Sequence, residues 1–441
     1  MILSTEEILN AVPECSLIRG NRHGTFTGIT TDSRNVREGD IFVCLTGENH
    51  DGFSFAEAAC RSGAKALVVS GTKQSYPPCC NSVLSTPDTR TFLLKIASFI
   101  LERQKMPVIM VTGSFGKTTI KEFLSALLSR KYRILKSTGN FNNNVGLPLS
   151  VFSIRDEHQL AVLEIGMNHA GEIAQIVRQV RPDYAIIGNI GPVHLEFFQN
   201  LSGIAKAKLE LLSNANLNTL ALINARFPLL RKNFPADYPG SVIFYRYALR
   251  KKLLIPDIEE TYEFPENLRE TISNYVPAIL LARKLDVPEQ VCQELLLSPP
   301  VIPGRFEIKD FKGVTVINDC YNANPVSMET ALKRAVLLNG RKIFILGDML
   351  ELGSRGAAYH SRLGELIRKK YSPEFLFTLG ENAQLICREA GRGKKFQSLH
   401  FNNLTELADN LREILRPGDV VLLKASRKLK LERLIELCFT T

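Results

Sequence analysis

The segment VIMVTGSFGKTT (Val108–Thr119) decides how the middle of this chain folds. Four apolar residues, Val108, Ile109, Met110 and Val111, run into Gly113, Ser114, Phe115, Gly116, Lys117, Thr118 and Thr119. A helical pattern follows at once, because Ile120, Phe123, Leu124, Leu127 and Leu128 recur on one face of a helix. Strand, glycine turn and helix start in that order make an anion site. Backbone N–H groups at the helix N-terminus converge on phosphate, and glycines let the main chain approach closely. Lys117 adds a point charge for the outer phosphates, and the Thr118 hydroxyl suits a Mg²⁺ ion. The usual phosphate loop is longer between its glycines than the span from Gly113 to Gly116. A plain glycine turn would not call for Gly-Lys-Thr-Thr after a buried-type strand. Nucleotide binding is therefore expected, with Gly113, Ser114, Gly116, Lys117, Thr118 and Thr119 as the cradle.

The chain of 441 residues is long enough for two or three domains with separate cores. Its 45% hydrophobic and 23% charged content are those of a globular protein. No apolar run is long enough to span a bilayer. The stretch MILSTEEILNAV has no basic region and reads as a helix, not a signal peptide. Nine scattered cysteines with no CxxC pair argue against a disulfide framework and a zinc site, so a cytoplasmic protein with reduced thiols is expected. The net charge of +10 is dispersed, and the densest basic runs (Arg246–Lys252, Arg427–Lys430) lack the aromatic interleaving of a nucleic-acid platform. A basic face that attracts an anionic substrate is the better reading.

Three α/β units follow from the alternation of apolar runs and helical patterns. Residues 1–105 form a small unit carrying Thr30–Arg34, Gly39–Gly52 and Ala64–Ser70, with a helix at Phe55–Ser62 and a linker at Glu102–Pro107. Residues 106–298 have the rhythm of a doubly wound, mostly parallel sheet, with strands at Val108–Thr112, Leu160–Ile165, Tyr184–Gly188 and Thr219–Asn224. Residues 299–441 make a Rossmann-like unit. Its strands are expected at Val314–Asn318, Lys342–Gly347, Phe375–Leu379 and Val420–Lys424, and its helices at about 326–338, 359–370 and 404–415. Two such units facing one another imply a cleft.

Ligands of open α/β sheets bind at the carboxyl ends of strands. Glu164 ends one strand, and Asn189 and His194 follow another. A lone Glu or His of this kind is more often a cap or a satisfied core residue, but two on the sheet of the phosphate loop are candidates for Mg²⁺. Lys206 and Lys208 on a helix at Ile204–Ser213 read, taken alone, as surface charges. Thr138–Pro148, TGNFNNNVGLP, is either a turn-rich loop or a set of amide donors for phosphate or acyl oxygens.

These motifs together resemble the Mur ligases, ATP-dependent amino-acid and peptide ligases of peptidoglycan precursor synthesis, over essentially the whole chain. The stretches TDSR and GDIFVCLTGENHDG look like the family's uridine-diphosphate-binding domain, and TGSFGKTT like its phosphate loop. LEIGMNHAGEI and NIGPVHLEFF resemble its metal-binding segments, and IAKAKLELL its carbamylated-lysine segment, which places that lysine at Lys208. PGRFE and NDCYNANPVSM open the third unit and GDMLELG follows; the last two resemble the family member that adds D-alanyl-D-alanine.

The resemblance implies ATP and two Mg²⁺ ions as cofactors, and UDP-N-acetylmuramoyl-tripeptide and D-alanyl-D-alanine as substrates of a monomeric enzyme. It implies Lys117, Lys208, Glu164, His194 and Asn143 as catalytic residues, with Thr118, Glu164, His194 and Lys208 on the metals. Asn189, Arg305, Asp319 and Tyr321 join the cradle in binding ATP, while Thr31, Ser33, Arg34, Asn142, Asn322, Asn324 and Ser327 are expected on substrate. His360 and Lys424–Arg427 fall in stretches that match the family's third domain.

The chain also departs from the family pattern. Phe115 stands where a small or polar residue is usual, and Asn224-Ala225-Arg226-Phe227 replaces an Asn-Ala-Asp-Asp segment. The His-Asn pair expected to precede an adenine-contacting asparagine is Glu270-Thr271, with Asn274 matching the second asparagine. Rival readings are the ligase of the preceding step, a folylpolyglutamate-type relative, and a P-loop switch or transport ATPase. No Asp-Asn-Pro-Arg acceptor sequence occurs, and a switch would leave Lys208 and Tyr321–Met328 unexplained.

Overall fold

A computed structural model describes residues 2–47, 51–393 and 395–439. The centre of the Gly39–Gly52 stretch, residues 48–50, lies outside the described residues. Strand Val108–Thr112 is flanked on both sides in a six-stranded, wholly parallel sheet. The order is Ser241–Tyr245, Leu220–Asn224, Tyr184–Ile187, Val108–Thr112, Leu160–Glu164, Ile134–Lys136. Its alternate residues serve two cores: Val108 and Met110 point to one, Ile109 and Val111 to the other. Helix Lys117–Leu128 packs on the second face through Ile120, Phe123, Leu124, Leu127 and Leu128, the periodic residues of the sequence.

The edge strands Ile134–Lys136 and Ser241–Tyr245 were not legible, because they are short and partly exposed and so lack a continuous apolar run. A separate antiparallel sheet of Ala248–Leu249, Leu253–Ile255 and Glu260–Tyr262 covers the second face through Leu253, Ile255 and Tyr262.

The N-terminal unit has a five-stranded sheet in which only Ser16–Arg19 runs antiparallel to its neighbour. Helix Thr89–Arg103, capped by Asp88, continues through residues expected in a linker, leaving 104–107 as the connection. It contacts the N-terminal helix Thr5–Ala11 and the central helices Gly146–Val151 and Glu172–Gln179. Its buried face (Phe92, Ile96, Ile100) belongs to a core shared with Val108 and Met110.

The third unit has a six-stranded sheet in the order Glu307–Phe311, Val314–Asn318, Asp419–Lys424, Arg341–Gly347, Phe375–Leu379, Gln397–Phe401. All its pairs are parallel except the first. Helices Pro325–Ala335 and Gly356–Lys370 cover one face and Leu404–Ile414 the other. Among the described residues no helix is long and apolar enough to cross a membrane, and all nine cysteines are free thiols.

Candidate active site

A cavity of about 1060 Å³ opens between the central and third units, lined by Ser114–Lys117 on one side and Tyr321–Asn324 on the other. The phosphate loop is held from beneath. Ser114 N–H donates to the Asn189 carbonyl at 2.7 Å, and a side chain at Gly113 would press on that carbonyl at 3.2 Å. Gly116 caps the helix at φ +82°, a conformation glycine adopts without strain. The Lys117 ammonium folds back on the Gly113 carbonyl at 3.0 Å. Burial holds its pKa below the usual lysine value.

Asn189, expected on nucleotide, is 1% exposed and does not line the cavity. Its side-chain Nδ2 donates to Asn274 Oδ1 at 2.7 Å and its Oδ1 accepts from Asn224 Nδ2 at 3.1 Å. Asn224, Asn189 and Asn274 thus form a buried amide chain from the sheet to the cavity wall, where Asn274 abuts Gly116. Buried amides must be paired, and here the pairing is within the protein.

At the strand ends the donors converge. The Thr118 hydroxyl donates to Glu164 Oε2 at 2.8 Å, and the Asn142 amide to Glu164 Oε1 at 2.9 Å. Glu164 is 2% exposed, and its own N–H donates to Ser137 Oγ at 2.9 Å. From the third unit the Arg305 guanidinium donates to Thr118 Oγ1 at 2.9 Å while stacked 4.0 Å from the centre of the Tyr321 ring. Lys208 is not a surface charge: its helix, Leu201–Leu209, exposes Lys206 but buries Lys208 completely. Its amine has no hydrogen-bond partner among the described residues. Burial, and then the neighbouring Lys117 charge, hold its pKa well below the usual lysine value, although Glu164 opposes this.

His194 lines the same cavity, its Nδ1 2.6 Å from the Glu351 carboxylate of the third unit. The His194 contact holds Glu351 below the usual carboxyl range. Asp319 accepts from the Phe306 N–H at 3.0 Å and pairs with Lys424 at 2.7 Å. Asn324 and Ser327 face the cavity but also cap helix Pro325–Ala335 reciprocally, at 2.9 and 3.0 Å. The Asn322 side chain accepts from the next N–H at 2.8 Å and lines the same wall.

The structure does not bring every expected residue here. Asn143 does not line the cavity; its oxygen accepts from the Val145 and Gly146 N–H groups at 3.2 and 2.8 Å and shapes the loop that presents Asn142. Thr31, Ser33 and Arg34 lie in the N-terminal unit, away from the cavity. Arg34 forks onto Asp32 at 2.9 and 2.7 Å and holds that carboxyl down at about 2. Glu351 and Arg334 are among the cavity residues to which the sequence assigned no role. Glu351 lay unassigned inside GDMLELG. Arg334, on the exit side of helix Pro325–Ala335, stacks on Phe306 at 3.7 Å and donates to the Asn267 carbonyl at 2.8 Å, with no local motif to mark it.

A phosphate cradle and a buried carboxylate–hydroxyl–lysine cluster, faced by an arginine from a second α/β unit, define a nucleotide-dependent group-transfer site. Models of the Mur ligase family match three segments: the family's catalytic domain over residues 25–100, its middle domain over 111–264, and its glutamate ligase domain over 304–427. A UDP-N-acetylmuramoyl-tripeptide–D-alanyl-D-alanine ligase from Bacillus subtilis is 33% identical over 93% of this chain and 92% of its own length. Its Escherichia coli namesake is 30% identical over 93% of each. The chain belongs to the Mur ligase family. In fold it is similar to MurF from Acinetobacter baumannii (TM-score 0.87, 26% identity, 100% and 99% of the two chains). It is also similar to a Thermotoga maritima MurF ligase in complex with ADP (TM-score 0.76, 28% identity, 93% and 96%).

Proposed function

We infer that the chain is an ATP-dependent, ADP-forming ligase. It joins D-alanyl-D-alanine to UDP-N-acetylmuramoyl-tripeptide through an acyl phosphate and so completes the pentapeptide precursor of peptidoglycan. The substrates follow from the relatives' names, which hold over nearly the whole of both chains. The observation that carries ligase chemistry is the wholly buried, unpartnered Lys208 amine within electrostatic reach of Lys117 and Glu164.

The cradle fits a nucleotide phosphate: the Ser114 hydroxyl is buried without a partner, and Gly116, Lys117 and Thr119 at the helix start line the cavity. The cluster fits Mg²⁺ once Lys208 is carbamylated. A bare amine is a poor ligand for so hard a cation, whereas the neutral amine favoured by burial can add CO₂ and release a proton, becoming an anionic oxygen donor. Thr118, Glu164, His194 and that carbamate are then the proposed ligands, divided between two ions. Bound Mg²⁺ would neutralise charge on the phosphoryl oxygens and so let a carboxylate approach them.

The chain's own groups do the rest. Lys117 from the cradle and Arg305 from the third unit bring positive charge to the transferred phosphoryl, and the Tyr321 ring lies 4.0 Å from the Arg305 guanidinium. Asn142 holds one Glu164 oxygen, so that the other faces Thr118. Asn322, Asn324 and Ser327 form the wall against which the dipeptide amine is proposed to lie, and Asp319 orients the adjoining loop. Thr31, Ser33 and Arg34 are the proposed contacts of the UDP moiety, on the remote N-terminal unit. Closure of the third unit onto the cradle excludes the water that would hydrolyse the intermediate. A monomer is proposed, as the family resemblance implies. The domain limits proposed are 1–105, 106–298 and 299–441, and a cytoplasmic location is proposed, in keeping with the proposed nucleotide substrates.

The test is phosphate release from ATP with each co-substrate omitted in turn, and mass spectrometry of the product. Release should require both the UDP-linked tripeptide and the dipeptide. Release indifferent to both would favour a switch ATPase, and release driven by a free amino acid would favour the preceding step.

A further inference from the structure

We propose that Lys121 is a positioning residue: an ammonium in the protein interior that fixes the segment presenting Glu164 and Asn142 to the cavity. This rests on the reading of Glu164 as a metal ligand. Lys121 is wholly buried on helix Lys117–Leu128, one turn beyond Lys117. A buried charge costs stability unless it is paired, and a methionine would fill similar space without that cost. What the lysine adds is a bond: its Nζ donates to the Ser137 carbonyl at 2.8 Å.

Ser137 is 1% exposed, and each of its polar groups is engaged. Its N–H donates to the Val162 carbonyl at 3.1 Å, its Oγ accepts from the Glu164 N–H at 2.9 Å, and its carbonyl takes the Lys121 ammonium. From Ser137 the chain enters the asparagine-rich loop, which returns to the same strand end. There the Asn142 amide donates to Glu164 Oε1 at 2.9 Å, and the Gly166 N–H donates to the Asn142 carbonyl at 2.7 Å. Ser137, Asn142 and Glu164 thus close a ring of bonds.

Strand Ile134–Lys136, which leads into that ring, is three residues long and lies at the edge of the sheet, paired to Leu160–Glu164. A short edge strand leaves its end weakly fixed. Lys121 ties that end to the helix that also carries Lys117 and Thr118, so cradle and carboxylate keep one register. Glu122 supports the ammonium: its Oε1 lies 2.8 Å from Lys121 Nζ, while its Oε2 accepts from Lys136 at 2.6 Å. Lys136 stays with Glu122 when Lys121 is replaced, so no carboxylate is left unpaired. The Ser137 carbonyl does lose its donor, and a buried carbonyl without one must shift to find another. That shift carries the Glu164 backbone and the loop with it.

The test uses the full chain. Mn²⁺ binding, followed by electron paramagnetic resonance in the presence of ADP, should weaken about 10- to 100-fold in Lys121→Met. Metal-free ADP binding and the urea midpoint should stay at wild-type values, because the cradle and the packed volume are kept. A matching loss of ADP affinity or of stability would show general damage and reject the proposal. Ser137→Ala leaves the Lys121 bond in place and removes only the hydroxyl that receives the Glu164 N–H. It should also weaken Mn²⁺, and wild-type affinity in that variant overturns the route through Ser137. In a Glu164→Ala background Lys121→Met should have no further effect on Mn²⁺, whereas a lesion of the fold would lower affinity in both backgrounds. Lys121→Met with wild-type Mn²⁺ affinity, beside a weakened Glu164→Ala, overturns the positioning role and leaves the ligand reading intact. Glu164→Ala without effect on Mn²⁺ overturns the ligand reading and this inference with it.

Discussion

Replacing Gly116 by alanine should weaken nucleotide binding by an amount the local geometry sets. At φ +82° an L-residue carries left-handed strain of about 1–2 kcal/mol. The new Cβ would lie 2.0 Å from Asn274 Oδ1 and 2.6 Å from its Cγ, so Asn274 must leave. Its departure breaks the 2.7 Å bond from the Asn189 amide, which is buried at 1% exposure. That loss contributes about 1 kcal/mol. A loop that relaxes to escape the strain must be driven back by the phosphates, so the sum, about 2–3 kcal/mol, reappears in the dissociation constant. Isothermal titration with ADP should show binding about 30- to 150-fold weaker. In the double variant Gly116→Ala/Asn274→Ala the clash is gone, and the bond it would have broken is already absent. Its loss should therefore match that of Gly116→Ala alone instead of adding to it. Affinity of the single variant within threefold of wild type, or strictly additive losses, would refute the reasoning.

Lys117→Ala should act mainly on kcat, by about 10²- to 10³-fold, because the charge it supplies is needed as the phosphoryl transfers; steady-state kinetics with an unchanged kcat would count against this. Lys208→Ala should abolish turnover and be partly rescued by acetate standing in for the lost oxygen ligand, and full activity without rescue would show the carbamate assignment to be wrong. Lys208 also predicts a pH effect in CO₂-free buffer. Its folded pKa lies well below the ordinary 10.5, so between the two values the unfolded chain binds a proton that the native state does not. Stability attributable to this side chain therefore rises with pH across that window, and below it the burial penalty is felt in full. Urea midpoints against pH should lose that rise in Lys208→Met; parallel curves for the two proteins would dispose of the idea.

The phosphate loop was legible because all of its information is local: an apolar strand, two glycines and an amphipathic helix, each with its own period, lie within a short stretch of chain. Buried central strands such as Phe375–Leu379 were legible for the same reason, their apolar runs being continuous and bounded by polar turns. Edge strands were not, since Ile134–Lys136 and Ser241–Tyr245 bury only part of their length and carry no clear alternation. The linker was expected to start two residues too early because nothing in Glu102-Arg103 interrupts a helix.

Residue type and local spacing alone thus determined the strand, glycine turn and helix of Val108–Leu128, the α/β class of all three units and, through resemblance, the family. Only the tertiary structure separated Lys206 from Lys208, since one helix exposes the first and buries the second within electrostatic reach of Lys117 and Glu164. It likewise sent Asn189 beneath the loop instead of into the cavity, and it brought Glu351 to His194 across the cleft. The reason is physical. A side chain's charge state and partners depend on what the rest of the chain packs around it, and residues more than a hundred positions apart meet only once the sheets and their helices have docked.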